Sequence, residues 1–365
     1  MAIEGEAWVL ETPGQPLVKR PRSWDVPPAG FALLEVLGCG VCHTDLGFAD
    51  GSVRPKQALP IVLGHEIVGR VLATNGSSAQ SLQGKIVLAP AVSPCGACPA
   101  CVRGRPTSCP TGRMPGNDAD GGFATHTYVP SRDLVVLGDA GATTLGSIDL
   151  EPWQIAPVAD AATTAWQALV RAGLARDDVA VFVGAGGVGT FGAELAASAG
   201  AHVVAIDVDE RRLAAVAGRV AAVIHSKGKE PREVRDELRR FMKAKGVTTA
   251  PVRVFETSGH PDGQALAFQL LERGGSLSVV GFTPDKITLR FSNVMALDAD
   301  IHGNWGCDPA LYATVIDRIL DGRVHVAPYV ESHPLDDVNA VLAALAGHSL
   351  AKRAVLIPRR RGSDA

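Results

Sequence analysis

VAVFVGAGGVGTFGAELAASAG, residues 179–200, is the stretch whose reading decides the fold. Val179 to Val183 run apolar without a break into a glycine-rich turn, which suits a strand buried on both faces of a parallel sheet. A G-x-G-x-x-G string between such a strand and a helical segment has a mechanical purpose. Gly184 makes the tight turn, Gly186 lets a pyrophosphate approach the backbone, and Gly189 lets helix and strand pack closely. Gly187 and Val188 complete the loop, and the helix N-terminus behind it favours phosphate charge. The next apolar run, HVVAIDVD, reaches Asp207, 18 residues beyond Gly189. A carboxylate there accepts the ribose hydroxyls of NAD and disfavours the 2′-phosphate of NADP. Arg211 and Arg212 temper that preference, because nearby arginines accommodate such a phosphate.

The pattern repeats on the C-terminal side. VRVFETSG precedes GQALAFQLLERGG, and SLSVVGF follows, so strands alternate with Ala/Leu-rich helices in βαβ fashion from about residue 155 to 300. Before that region the texture differs. Short runs such as FALLEVLG, IVLGHEIVGRVLA and KIVLAP lie among Pro and Gly and predict an irregular β-barrel or sandwich. A helical segment, PLDDVNAVLAALAGH, lies near the C-terminus.

A chain of 365 residues exceeds one core of usual size, so two domains are expected. A formal net charge of −3 argues against a nucleic-acid or anionic-membrane partner, which would favour a basic face. No stretch approaches the roughly 20 apolar residues that span a bilayer. MAIEGEAWVL has no basic region followed by an apolar run, so a cytoplasmic location is expected, where clustered thiols bind metal rather than pair.

Four of the seven cysteines, Cys95, Cys98, Cys101 and Cys109, crowd into PCGACPACVRGRPTSCP, residues 94–110. Four thiolates on a tight loop make a tetrahedral zinc site with no position left for water or substrate, hence a structural one. Thiolate-only sites also hold iron–sulfur clusters. A zinc-ribbon nucleic-acid module would want more basic residues than Arg103, Arg105 and Arg113. The chemistry must lie elsewhere. GCGVCHTDLG, a glycine-flanked polar turn with Cys42, and GHEIVG, with His65 beside Glu66, together offer a thiolate, an imidazole and the carboxylates of Asp45 and Glu66. A catalytic zinc wants three protein ligands and one open position.

Taken in order, GCGVCHTD, GHE, the four-cysteine lobe, APVADAATTAWQAL, GAGGVG and the terminal LAKRAVLIP resemble the zinc-containing medium-chain dehydrogenase/reductases, the alcohol dehydrogenase family. The resemblance implies an α/β architecture. A GroES-like β-rich catalytic domain covers residues 1–155 and is completed by 305–365, around a doubly wound Rossmann domain over 156–304 with the active site in the cleft. It implies an NAD-dependent enzyme, a homodimer or homotetramer, with two zinc ions per chain. Cys42, His65 and Asp160 become ligands of the catalytic zinc, Asp160 standing where many relatives carry Cys. Glu66 lies close enough to replace a departing water, and Thr44 passes a proton from the substrate hydroxyl. His43 approaches the cofactor pyrophosphate or assists proton transfer, and Arg353 contacts the pyrophosphate. Gly47 departs from the relay histidine of many alcohol dehydrogenases, which puts the usual proton exit in doubt.

The string MPGND–GGFA, with Asp160, resembles a narrower subgroup, the 6-hydroxycyclohex-1-ene-1-carbonyl-CoA dehydrogenases. Ala91 is small where compact alcohol pockets carry an aromatic. A CoA thioester is therefore the expected small-molecule substrate. The reaction is either hydroxyacyl-CoA dehydrogenation or reduction of a 2-enoyl-CoA, as from 3-methylcrotonyl-CoA to isovaleryl-CoA. An ordinary secondary-alcohol or polyol dehydrogenase is the alternative, and a non-enzymatic binding protein on the same fold is the third.

Overall fold

The structure, a computed structural model, describes residues 2–76, 80–139, 142–146 and 149–359. The chain divides into two compact units: Met1–Asp160 with Gly306–Gly322 and Val326–Ala365, and Ala161–Trp305 with Arg323–His325.

The second unit is built on the quoted stretch. Val179–Val183 is buried at all five positions. It lies between His202–Asp207 and Val252–Glu256 in a six-stranded, all-parallel sheet. Numbered along the chain, the strands run 3-2-1-4-5-6, with Ala222–His225 and Asp300–Gly303 at the edges. This is the Rossmann order, and it reverses beside Val179–Val183, where such folds bind ligands beyond the carboxyl ends of the strands. Helix Gly187–Ser198 follows the glycine turn. Helix Pro231–Lys245 seats Val234, Leu238 and Met242, spaced by four, on a core with Val181, Val204, Ile206 and Val254. Each such aliphatic side chain contributes about 1.5–3 kcal/mol when fully buried.

In the first unit, Phe31–Gly40 is the central strand, flanked by Glu66–Thr74 and His126–Pro130. The late strand Arg353–Ile357 joins it antiparallel, Val355 opposite Gly40 and Leu356 opposite Cys39, so both chain ends share one sheet. The run IVLGHEIVGRVLA is not one strand. It breaks into Ile61–Val62 and Glu66–Thr74, because Gly64 takes a left-handed φ of +95°. That break places His65 immediately before the second strand. Leu10, Leu33, Leu34, Ile61, Leu63, Ile67 and Phe123 form the core below it. Among the described residues no helix is long and apolar enough to cross a membrane.

Candidate active site

GCGVCHTDLG folds differently from the turn its polar residues suggest. Helix His43–Asp50 starts there, and Cys42 is the residue that caps it. The Asp45 carboxylate, in the first turn, accepts the Cys42 amide at 2.9 Å, which satisfies an otherwise orphaned donor. Helix geometry thus presents the Cys42 thiol beside two other segments. His65 arrives from the break between strands, and Asp160 ends the 3-10 helix Pro152–Ala159. Ligand atoms of Cys42, His65, Glu66 and Asp160 all lie within 4.8 Å of one another. Cys42 Sγ is 3.8 Å from Asp160 Oδ2, and His65 Nε2 is 3.5 Å from the same oxygen. The Thr44 hydroxyl stands 3.7 Å from Cys42 Sγ.

The donors fit zinc. His65 is buried, and neither ring nitrogen has a hydrogen-bond partner among the described residues. A buried imidazole left in that state is costly unless a cation takes the lone pair. Burial disfavours the imidazolium, but the carboxylates of Asp45 and Asp160 outweigh it and hold the His65 pKa well above its ordinary value. The site is therefore poised for positive charge. One thiolate, one imidazole and one carboxylate leave the fourth position of a tetrahedron open.

Glu66 is fully buried, and its carboxylate receives both Nε and Nη2 of Arg353. Burial pushes the Glu66 pKa up to about 7, against the pull of Arg353. The sequence resemblance gave Arg353 a pyrophosphate. In the structure its guanidinium is the counter-ion of a carboxylate at the metal centre, and its side chain is 9% exposed.

Two residues support this centre: Asp45, read from sequence only as a nearby carboxylate, and Tyr312, which the sequence does not single out. Asp45 is no part of the ligand cluster: its Oδ1 accepts Gly64 N at 3.0 Å and faces His65 Nδ1 at 3.4 Å. It therefore ties the Cys42 and His65 segments together. Tyr312, fully buried, donates to the Ala159 carbonyl and accepts Ala91 N at 3.1 Å, which fixes the residue before Asp160. Ala91 is itself buried, 3% exposed, so its small side chain opens no wide pocket there.

The string MPGND–GGFA is scaffolding beneath His65. Asn117 Oδ1 accepts Lys56 N, Asp118 Oδ2 accepts Met114 N, and Asp118 Oδ1 pairs with Lys56. A Cβ on Gly121 would stand 2.2 Å from Gly64 O and 2.6 Å from Leu63 O. A Cβ on Gly116, at φ +77°, would stand 2.8 Å from Gly64 N. These glycines let two backbone segments touch and so set the height of His65.

Cys95, Cys98, Cys101 and Cys109 form the second cluster, and all seven cysteines are unbridged. Sulfur separations of 3.5, 3.8 and 4.0 Å bracket the roughly 3.8 Å edge of a tetrahedron with zinc–sulfur distances of about 2.3 Å. The Ala97 and Cys98 amides pull the Cys95 thiol down to about 6. Every corner is sulfur, which leaves no open position for chemistry.

In the second unit Gly184 takes φ +103°, and a Cβ there would lie 2.6 Å from Ser258 N. On Gly189 a Cβ would meet Gly184 O at 1.8 Å. On Gly186 it would meet nothing within 4 Å, which is the open approach a pyrophosphate needs. Gly186, Gly187 and Val188 are half-buried at the helix start. Asp207 is buried, and its carboxylate accepts Ala185 N at 2.7 Å and Asp209 N at 2.8 Å. It organises the glycine turn, and each oxygen keeps a lone pair beyond these bonds. Arg211 is tied to Asp209 through Nε and Nη2, while Arg212 is half-buried.

Two family models match the chain: the alcohol dehydrogenase GroES-like domain over residues 28–139 and the zinc-binding dehydrogenase over residues 187–321. An alcohol dehydrogenase of Geobacillus stearothermophilus is 27% identical over 342 residues, 93% of this chain and 94% of its own. The L-galactonate-5-dehydrogenase of Escherichia coli strain K12 is 26% identical over 308 residues, 84% of this chain and 85% of its own. The crystal structure of the alcohol dehydrogenase from Aeropyrum pernix is similar with a TM-score of 0.82 and 27% identity, covering 97% of this chain and all 100% of that one.

Proposed function

The chain belongs to the zinc-containing medium-chain dehydrogenase/reductase family, and from that premise we propose that it is an NAD(H)-dependent dehydrogenase of a small secondary alcohol or polyol. The observation that carries this reading is the meeting of Cys42, His65, Asp160 and Glu66 beside the Thr44 hydroxyl, with both His65 nitrogens unsatisfied. Cys42, His65 and Asp160 would hold the zinc. Bound there, zinc supplies Lewis-acid polarisation of a substrate oxygen, and the nicotinamide supplies or takes the hydride.

Thr44 holds the substrate hydroxyl and takes its proton. The usual relay position is filled, since a Cβ on the buried Gly47 would already be 3.2 Å from Val53. We therefore assign the proton exit to His43, exposed one residue from Thr44, with its ring 6.4 Å from that of His348. Arg353 balances Glu66 and keeps a second negative charge at the centre neutralised. In the second unit the glycine turn and Asp207 receive the pyrophosphate and ribose. With Arg211 committed to Asp209, NAD is favoured over NADP.

The two relatives named above act, by their names, on an alcohol and on L-galactonate, which supports a small hydroxyl substrate. The CoA-thioester expectation ranks behind it. MPGND–GGFA serves the scaffold, and Ala91 is packed rather than lining a wide opening.

The test is reduction of NAD+ at 340 nm with a panel of secondary alcohols and polyols, beside a 2-enoyl-CoA with NADH and a hydroxyacyl-CoA with NAD+. Turnover on the hydroxyl panel, lowered about 10²–10⁴-fold in Thr44→Val, is expected. Turnover confined to the CoA thioesters would overturn the substrate class.

A further inference from the structure

Glu256 ends a central strand of the parallel sheet and serves no step described above. It is fully buried. Its Oε1 accepts three hydrogen bonds, from Ser258 N at 2.8 Å, Ser258 Oγ at 2.6 Å and Gly259 N at 3.0 Å. Its Oε2 has no partner among the described residues. Glycines make the room for this carboxylate. A Cβ on Gly281 would stand 2.8 Å from Oε2 and 2.3 Å from Gly259 N, and one on Gly263 would stand 2.0 Å from Ser258 Oγ. The Glu256 carbonyl accepts Val280 N and Gly281 N, each at 3.0 Å, so one residue joins the ends of two neighbouring strands.

The turn that Glu256 holds is also the wall of the glycine loop. Thr257 Oγ1 donates to Gly184 O at 2.7 Å, and Thr257 N donates to Val183 O at 2.9 Å. Ser258 N lies 2.6 Å from where a Cβ on Gly184 would stand, so small shifts of Ser258 are felt at Gly184. Ser258 itself is exposed. A surface turn that only closed a loop would not need a buried anion with one oxygen unpaired, because that is a costly arrangement.

We propose that Glu256 is a positioning residue for the dinucleotide: its carboxylate sets the Thr257–Gly259 turn against Gly184 and thereby shapes the cradle that receives the pyrophosphate. This rests on the dinucleotide reading above. Glu256→Gln is a near-isosteric probe. It keeps one acceptor, removes the charge, and sets an amide NH2 beside Gly281. Ser258→Ala removes one of the three bonds at an exposed position, so folding is secure even where Glu256→Gln fails.

Two measurements test the proposal: NADH titration by fluorescence, and amide hydrogen exchange over residues 184–187 and 258–259 without ligand. Expected is a Kd for NADH raised about tenfold in Glu256→Gln and about threefold in Ser258→Ala, the scale of weakening charge-assisted hydrogen bonds. Exchange over 184–187 should quicken in both variants, with zinc content unchanged. A purely structural role would lower the melting temperature alone. NADH binding within twofold of wild type and unaltered exchange at 184–187 would overturn the proposal by itself. Wild-type protein that does not bind NADH would overturn the dinucleotide reading, and this proposal with it.

Discussion

Replacing Asp45 with Asn keeps the size of a fully buried side chain while removing its charge and half of its acceptors. In the native site the carboxylate takes Cys42 N at 2.9 Å on one oxygen and Gly64 N at 3.0 Å on the other, with His65 Nδ1 3.4 Å from the latter. Asn can satisfy one amide. Its NH2 then confronts the other, leaving a buried donor unpaired, at about 1–3 kcal/mol. The loss falls on the two segments that carry Cys42 and His65. Carboxylates behind a metal-bound imidazole are typically worth about 10–100-fold in metal affinity, equivalent to about 1.4–2.8 kcal/mol. The two estimates agree. Asp45→Asn should therefore lose zinc from the Cys42–His65–Asp160 centre at a 10–100-fold lower chelator concentration. The four-cysteine lobe, which Asp45 does not touch, should keep its zinc and serve as the internal reference. Dialysis against graded chelator, with metal counted per chain, reads both. A variant that releases its first zinc within threefold of the wild-type chelator concentration would show that Asp45 caps the helix and does nothing for the metal.

Gly121→Ala should lower the urea midpoint, because its Cβ meets the Gly64 and Leu63 carbonyl oxygens, and overpacking against backbone costs about 1–3 kcal/mol or more. It should also loosen zinc at His65, and a variant unchanged in both respects would mean that the two segments slide apart freely. Cys95→Ser should lose about one zinc per chain and melt earlier, while turnover per folded molecule stays near wild type; a stable but inactive variant would exchange the roles of the two metal sites. Asp209→Ala removes the cap of helix Glu210–Val216, a loss of about 1 kcal/mol at neutral pH. Hydrogen bonding to Arg211 holds the Asp209 carboxyl well below the usual range. Its stabilisation is therefore present above the unfolded value of about 3.9 and fades as pH falls towards the lower native value. A wild-type advantage that stays constant from pH 6 to pH 2 would contradict this linkage.

The parallel sheet was legible because its inner strands are buried on both faces and read as unbroken apolar runs. The edge strands Ala222–His225 and Asp300–Gly303 are four residues long and half-exposed, so neither carries that signal. The candidate ligands, which the structure brings together, were legible as types, since thiol, imidazole and carboxylate have few other reasons to cluster. Their supports were not. Asp45, Tyr312 and the Arg353–Glu66 pair act across sequence separations of 19, 153 and 287 residues, and no local pattern reports such pairings. The structural role of the string MPGND–GGFA was hidden for a related reason. Its polar residues spend their hydrogen bonds on nearby backbone, and its glycines serve a contact with Gly64 that appears only after folding.

The same geometry bears on Asp160 as the carboxylate member of the candidate ligand set. A divalent ion at the centre would meet two anionic ligands, Cys42 and Asp160, and the bidentate Arg353 contact would cancel the Glu66 charge locally. The inner set is therefore close to neutral. Asp45 adds negative charge 3.4 Å from His65 Nδ1, where it favours a proton on that nitrogen and leaves Nε2 free for a metal. A thiolate at residue 160 would carry the same formal charge, so the choice of Asp changes the hardness and reach of the ligand rather than the charge of the site. A short carboxylate tolerates little displacement of its backbone. That requirement is met by the preceding 3-10 helix and by the buried Tyr312 hydroxyl on the Ala159 carbonyl, which hold the residue before Asp160 in place.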